Sequence, residues 1–166
     1  VFDAQTLELV ADIPAEYEPG KLSRVVGLVD VPTAGQGQRF VFSLFDADEV
    51  WIADVSGKGH PSRIQRIKHI GHQPYDALVT PNGRYYIAGL FGEDGLALID
   101  LWAAQPQARK ILSGYGRGQE PLPVYKMPHL RGWAVAGRHA YLPAIGRREV
   151  LVVDTETWQE TARIAV

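Results

Sequence analysis

QRFVFSLFDADEVWIAD, residues 38–54, decides the fold, because the chain writes it three times. RYYIAGLFGEDGLALID follows at 84–100 and HAYLPAIGRREVLVVD at 139–154, aligned without gaps and ending at Asp54, Asp100 and Asp154, so the spacings are 46 and 54 residues. Each copy reads as an apolar strand, a short polar turn (Asp46 to Glu49, Gly92 to Gly95, Gly146 to Glu149) and a second apolar strand closed by aspartate, which is a hairpin with its turn written in. A short alternating run then follows in each case, Arg63 to Ile67, Arg109 to Leu112 and Glu160 to Ile164, fitting an outer half-exposed strand. A further short strand precedes each hairpin, at Arg24 to Val29, Pro74 to Val79 and His129 to Val135.

Four strands in a unit of about 50 residues is the pattern of a propeller blade. Helical crossovers are excluded because apolar spacing nowhere holds to a period of 3.6, while Gly and Pro interrupt the chain every 8–12 positions or so. A β-sandwich would accommodate the strands but does not predict the repeat. The expected fold is therefore all-β, an arc of about three four-stranded β-propeller blades: an outer strand and linker over 1–20, then blades over 21–68, 69–113 and 114–166. The opening VFDAQTLELVADI copies the closing VVDTETWQETARI, so Asp3 takes the place of the repeated aspartate in an earlier unit. A closed propeller has about 4–8 blades, so this arc reads as part of a larger propeller or as a chain that closes by self-association. Val1 in place of Met fits a trimmed product or a segment of a longer protein.

With 166 residues, 46% of them hydrophobic, the chain supports a full core, and the lack of cysteine excludes a disulfide framework. A formal charge of -2 provides no broad basic footprint, so nucleic acid is not the expected partner. No apolar run reaches the roughly 18 residues of a membrane span.

In a propeller the inner strands converge on the axis, and their starts line one mouth. Register places Arg24, His72, Tyr75, Asp76, Lys126, His129 and Arg131 there, with Tyr115, Tyr125 and Trp133 interleaved, a set suited to anions, planar ligands or metals. Asp76 interrupts an apolar alternation at the axis end of its strand and His72 sits beside it, so these two are the candidate acid–base residues. The H-x-x-H pair His69 and His72 points to opposite faces of an extended chain, which disfavours a shared metal. His129, after Met127-Pro128, is the candidate iron ligand. The run GYGRGQ, 114–119, lacks the G-x-G-x-x-G spacing and strand–helix context of a dinucleotide fingerprint, and is expected as a loop bringing Tyr115 and Arg117 over the mouth. Asp54, Asp100 and Asp154 read as turn-forming residues.

The runs RVVGLVDV (24–31), FVFSLFDADEVWIADVSGKGHPSRIQRI (40–67), GHQPYDALVTPNGRYYIAGLFGEDGLALIDLW (71–102) and YKMPHLRGWAVAGRHAYLPAIGRREVLVVDT (125–155) resemble the NirF family of heme d1 biosynthesis proteins over essentially the whole chain. The chain is similar, more distantly, to the d1-haem propeller of cytochrome cd1 nitrite reductase and to NirN. PHLRG, 128–132, resembles the PHPGRG loop near the haem in the reductases, departing from it at Leu130. The resemblance implies an eight-bladed parent, a periplasmic and sometimes membrane-anchored protein of denitrification, and a pocket for heme d1 or its late precursor. Arg24, Arg117, Lys126 and Arg131 would then meet its carboxylates, Tyr75, Tyr115 and Trp133 its faces, and His129 its iron. The implied partners are the tetrapyrrole, nitrite reductase and its maturation proteins. Three roles stay open at this level: a late tailoring or dehydrogenation enzyme, a tetrapyrrole carrier, and an interaction module.

Overall fold

The computed structural model describes residues 1–32, 38–55, 60–115, 132–144 and 147–166. Fourteen strands and no α-helix occur among them. A small hairpin, β1 (Glu16–Glu18) with β2 (Lys21–Leu22), precedes three four-stranded antiparallel sheets. The first sheet is β3 (Val25–Val31), β4 (Gln38–Leu44), β5 (Glu49–Val55) and β6 (Pro61–Ile67). The second is β7 (Pro74–Val79), β8 (Tyr85–Leu90), β9 (Leu96–Asp100) and β10 (Ala108–Ile111), and the third β11 (Ala134–Ala136), β12 (His139–Ala144), β13 (Glu149–Asp154) and β14 (Gln159–Ala165). Each sheet is a simple meander in chain order, as propeller blades are.

Alternation explains why the middle blade is the most apolar. Along β8 and β9, Tyr86, Ala88, Ala97 and Ile99 face the first blade with Val41, Val50 and Ile52, whereas Ile87, Leu96 and Leu98 face the third with Leu142, Leu151 and Val153. A strand packed on both faces needs an unbroken apolar run rather than an alternating one. At the other extreme β14 is exposed along its whole length, in keeping with its Gln-Glu-Thr-Ala-Arg composition.

Asp100 and Asp154 hold turns, as read from the sequence, and all three repeated aspartates carry an arginine partner that the turn reading does not anticipate. Asp100 Oδ1 accepts the Trp102 N–H at 3.0 Å, and Asp154 Oδ1 accepts those of Glu156 and Thr157 at 2.9 Å each. In every blade an arginine at the start of the second strand reaches the same carboxylate: Arg39 Nε to Asp54 at 2.7 Å, Arg84 Nη2 to Asp100 at 2.7 Å, and Arg138 Nε to Asp154 at 2.5 Å. These pairs clip the second and third strands together at one end of each blade.

The N-terminal copy of this corner has the same backbone. Asp3 Oδ1 accepts the N–H groups of Gln5 and Thr6 at 2.8 Å, and Leu7 (φ 60°) stands where the closing copy has Trp158 (φ 59°). Trp158 is buried and meets Tyr85 edge-on at 5.3 Å, fastening the third blade to the second. The boundary at residue 20, between the expected linker and the expected blade, falls instead within the β1–β2 hairpin, closed by Gly20 at φ 74°. Arg66 holds it from β6, donating to the Tyr17 carbonyl at 2.7 Å while its guanidinium forks onto Glu49 at 2.8 and 2.9 Å. Burial raises the Glu49 pKa, but the Arg66 fork and the Trp51 indole N–H together outweigh it and hold the carboxyl below its usual range.

Candidate functional site

Strands β3 and β7 are the innermost of their blades and pack along one another. Both carry a register shift near the mouth end, between Val26 and Val29 and between Pro74 and Ala77. Bulges of this kind re-aim side chains at sheet ends. Gly27, at φ 59°, lies where the two irregularities meet: a Cβ there would stand 2.6 Å from the Tyr75 carbonyl oxygen and 2.9 Å from the Ala77 Cβ. The fully buried Tyr86 donates its hydroxyl to the Gly27 carbonyl at 2.9 Å and shares a 2.8 Å hydrogen bond with Ser43 Oγ, joining the two blades beneath the mouth. Burial pushes the Tyr86 phenol well above the usual tyrosine range, so it is a fixed donor at ordinary pH.

Above this joint the mouth is aromatic. Phe45 and Phe91 follow β4 and β8 at matching positions, and Tyr75 opens β7 between them. The three ring centroids lie 5.9–6.2 Å apart in tilted and edge-on arrangements. The Arg24 guanidinium stands 4.1 Å from the Phe45 centroid. It forks onto Asp46 through Nε at 3.0 Å and Nη2 at 2.5 Å, leaving Nη1 without a partner among the described residues. Hydrogen bonds from the Arg24 side chain, joined by its backbone N–H at 2.9 Å, hold the Asp46 carboxyl down at about 2.

Beside the aromatic group lies a second, more polar one. The His72 ring is 59% exposed, with Nδ1 3.4 Å from Asp48 Oδ2, and its backbone N–H donates to Glu93 Oε1 at 2.7 Å. Glu93 is paired with Lys110, and that bond, aided by the His72 N–H, lowers its pKa. Gly92 permits the His72 ring to lie against the backbone, since a Cβ there would overlap it. Asp76 is half-buried in β7 and accepts the Ala77 N–H at 2.9 Å. Asp48 also anchors this corner, taking the Gln73 N–H at 2.8 Å. No group of three or more His, Cys, Asp or Glu suited to a metal ion occurs among the described residues.

Of the residues placed at the mouth by the sequence, the structure brings Arg24 and Tyr75 into one aromatic–guanidinium cluster and sets His72 and Asp76 at the mouth end of the second blade. Tyr115 and Trp133 lie at the same end but are buried in the core between the second and third blades, their rings edge-on at 6.2 Å. The Tyr115 hydroxyl donates to the Pro143 carbonyl at 3.0 Å and burial pushes its pKa up to about 12, so both rings join the blades rather than cover the mouth. Arg117, Tyr125, Lys126, His129 and Arg131 lie outside the described residues. Phe45 and Phe91 also belong to this aromatic cluster, which the sequence does not announce because an aromatic closing an apolar strand reads as core; their signal is the Leu-Phe pair repeated before two of the three turns.

The whole chain, residues 1–166, matches the family model described as the cytochrome D1 heme domain. Over 168 aligned residues it is 58% identical to Protein NirF of Stutzerimonas stutzeri and to Protein NirF of Pseudomonas aeruginosa, covering 100% of this chain and 42% of each relative. The chain thus spans less than half the length of these curated relatives. Among solved structures it is similar to dihydro-heme d1 dehydrogenase NirN in complex with DHE, with a TM-score of 0.75, 25% identity, and coverage of 99% of this chain and 33% of that one. It also shares its fold with Kuenenia stuttgartiensis hydrazine synthase, at a TM-score of 0.60 and 16% identity over 99% of this chain and 39% of that one.

Proposed function

Because this chain belongs to the cytochrome D1 heme domain family along its whole length, we propose that it is part of a periplasmic protein that binds heme d1 or its late precursor at the inner-strand mouth and acts late in heme d1 biosynthesis, for nitrite reductase maturation. The single observation that carries the proposal is the Phe45–Tyr75–Phe91 cluster with a guanidinium over its edge. A tetrapyrrole with peripheral carboxylates needs aromatic surface for its plane and fixed cations for its rim. These described residues fit both needs. When bound, the tetrapyrrole supplies a conjugated ring and an iron capable of redox chemistry.

The chain's own residues have separable tasks. Tyr75 and Phe91, half-buried, provide the apolar contact and displace water from the ring face, with the buried Phe45 packed against both and under the Arg24 guanidinium. Arg24, fixed by Asp46, offers Nη1 to a ring carboxylate without losing its existing fork. Its low-pKa partner stays ionised, so the guanidinium is held in place across the physiological range. His72, steadied by Asp48 and Glu93, and Asp76 on the adjoining strand are the groups placed to hold or move a proton if a tailoring or dehydrogenation step takes place here. His129 is assigned to the iron, and Arg117, Lys126 and Arg131 to carboxylates, on the resemblance of their sequence alone.

The test is a visible-absorbance titration of the full-length protein and its Phe45→Ala and Phe91→Ala variants with heme d1. Loss of either ring should weaken binding by roughly tenfold or more. Unchanged affinity in both variants would remove the aromatic cluster from the site. Consumption of the precursor by the full-length protein would establish a catalytic role over that of a carrier.

A further inference from the structure

The end of the blades opposite the mouth carries a second, differently built site. Val31, closing β3, pairs there with Arg39, opening β4. Between the first two blades a cavity of about 160 Å³ opens at this end, with Arg39, Asp54, Arg63 and Gln65 on one side and Leu101 and Pro106 on the other. A cavity of about 150 Å³ holds a benzene-sized group, so this one takes a single side chain rather than a macrocycle.

Its charges are unevenly spent. Arg39 is committed to Asp54 through 2.7 and 3.2 Å hydrogen bonds, whereas the Arg63 side chain, on a strand paired with β5, makes no hydrogen bond or ion pair among the described residues. On the other flank of the same 101–106 turn, Trp102 is 65% exposed. The Arg84 guanidinium lies 5.5 Å from its ring centroid and is itself paired with Asp100. Arg39, Arg63 and Arg84 against Asp54 and Asp100 leave one positive charge in excess on a chain whose net charge is -2. An exposed tryptophan with one arginine against it, in a turn whose Leu101, Ala103 and Ala104 line a side-chain-sized cavity, has the composition of a binding hot spot. A free small anion would satisfy Arg63 but leave the indole and the Leu101–Pro106 wall uncovered. An acidic residue carried on a polypeptide, with an apolar neighbour, covers both.

We propose that this end of the first two blades is a docking surface for an acidic segment of a protein partner, one Asp or Glu carboxylate entering the cavity onto Arg63 while an adjacent apolar side chain packs on Trp102. The surface lies at the opposite end from the mouth and does not depend on what the mouth binds.

The probe is a fluorescein-labelled octapeptide of alternating Glu and Leu, titrated by polarisation with the full-length protein, beside the same peptide with Gln for Glu. Saturable binding of the Glu peptide is expected, weakened roughly tenfold or more by Arg63→Glu and, separately, by Trp102→Ala, and by the Gln replacement. Both side chains are solvent-facing, so the variants should melt with the parent; if Arg63→Glu does not, Arg63→Gln takes its place. Equal binding to parent and variants, no binding, or displacement of the peptide by butyrate at the peptide's own concentration would each overturn the proposal, the last because it would make the cavity a small-acid site.

Discussion

Gly27 and Gly137 provide a matched pair for measuring what the joint between the first two blades is worth. Both have nearly the same left-handed backbone, φ 59° and 58°, but a methyl at Gly137 would meet nothing within 4 Å, whereas one at Gly27 would meet the Tyr75 carbonyl oxygen at 2.6 Å, Ala77 Cβ at 2.9 Å and the Tyr86 hydroxyl at 3.2 Å. Alanine in that conformation costs about 1–2 kcal/mol at either site. Gly137→Ala should therefore destabilise by about that much. At Gly27 the crowding adds a further 1–3 kcal/mol or so, because the contacts are with backbone and a Cβ and cannot be relieved by a side-chain rotation. Gly27→Ala should then cost about 2–5 kcal/mol in all. The assay is urea unfolding of the full-length protein at pH 7, followed by tryptophan fluorescence, with the midpoint shift read at constant m-value. The same variant should weaken tetrapyrrole binding, since parting β3 from β7 moves Arg24 away from Tyr75. Equal destabilisation by the two substitutions would refute the reasoning, since it would mean that the blades do not meet at Gly27.

Further outcomes follow from the same packing. Tyr86→Phe should destabilise by about 1–3 kcal/mol, because the Gly27 carbonyl and Ser43 are left in a buried joint without their partner; a loss below about 0.5 kcal/mol, as at an ordinary surface position, would contradict it. Trp158→Ala should cost about 3–5 kcal/mol as the contact with Tyr85 is lost, measured by the same unfolding curve. The Asp46 pKa is held at about 2 against an ordinary 3.8 by Arg24, so its contribution is fully present above pH 3.8 and is lost as pH falls through about 2. Asp46→Asn should flatten that part of the acid stability profile, and an unaltered profile would count against the Arg24 fork. The 166-residue chain alone should bind heme d1 far more weakly than the full-length protein, and submicromolar binding by the chain would contradict the view that further pocket walls are needed.

The blades were legible because their information is local. Each hairpin carries its own turn and its own alternation, and β4–β5, β8–β9 and β12–β13 lie where the repeated aspartates put them. The Arg–Asp clips are also present in the sequence, as an arginine 15 or 16 residues before each aspartate, but turn chemistry alone accounts for a carboxylate at that position and hides the pairing. What could not be read is what depends on contacts between blades. The Tyr86–Gly27 hydrogen bond spans 59 residues of sequence, and without it nothing in VVGLVDV announces a bulge. Phe45 and Phe91 read as core, and Phe45 is buried; that the two rings meet each other and Tyr75 depends on contact between the two blades. Tyr115 illustrates the converse: its glycine-rich surroundings predict an open loop, but its carbonyl accepts the Gly95 N–H at 2.7 Å and its ring turns into the core.

The central claim, that the inner-strand mouth is a tetrapyrrole site, is tested most directly by titrating the full-length protein with heme d1 and following its visible absorbance. A saturable band shift, weakened in Arg24→Ala, is the predicted result. Absence of any shift at concentrations well above those of the protein would contradict the claim and leave the mouth as an aromatic joint between blades.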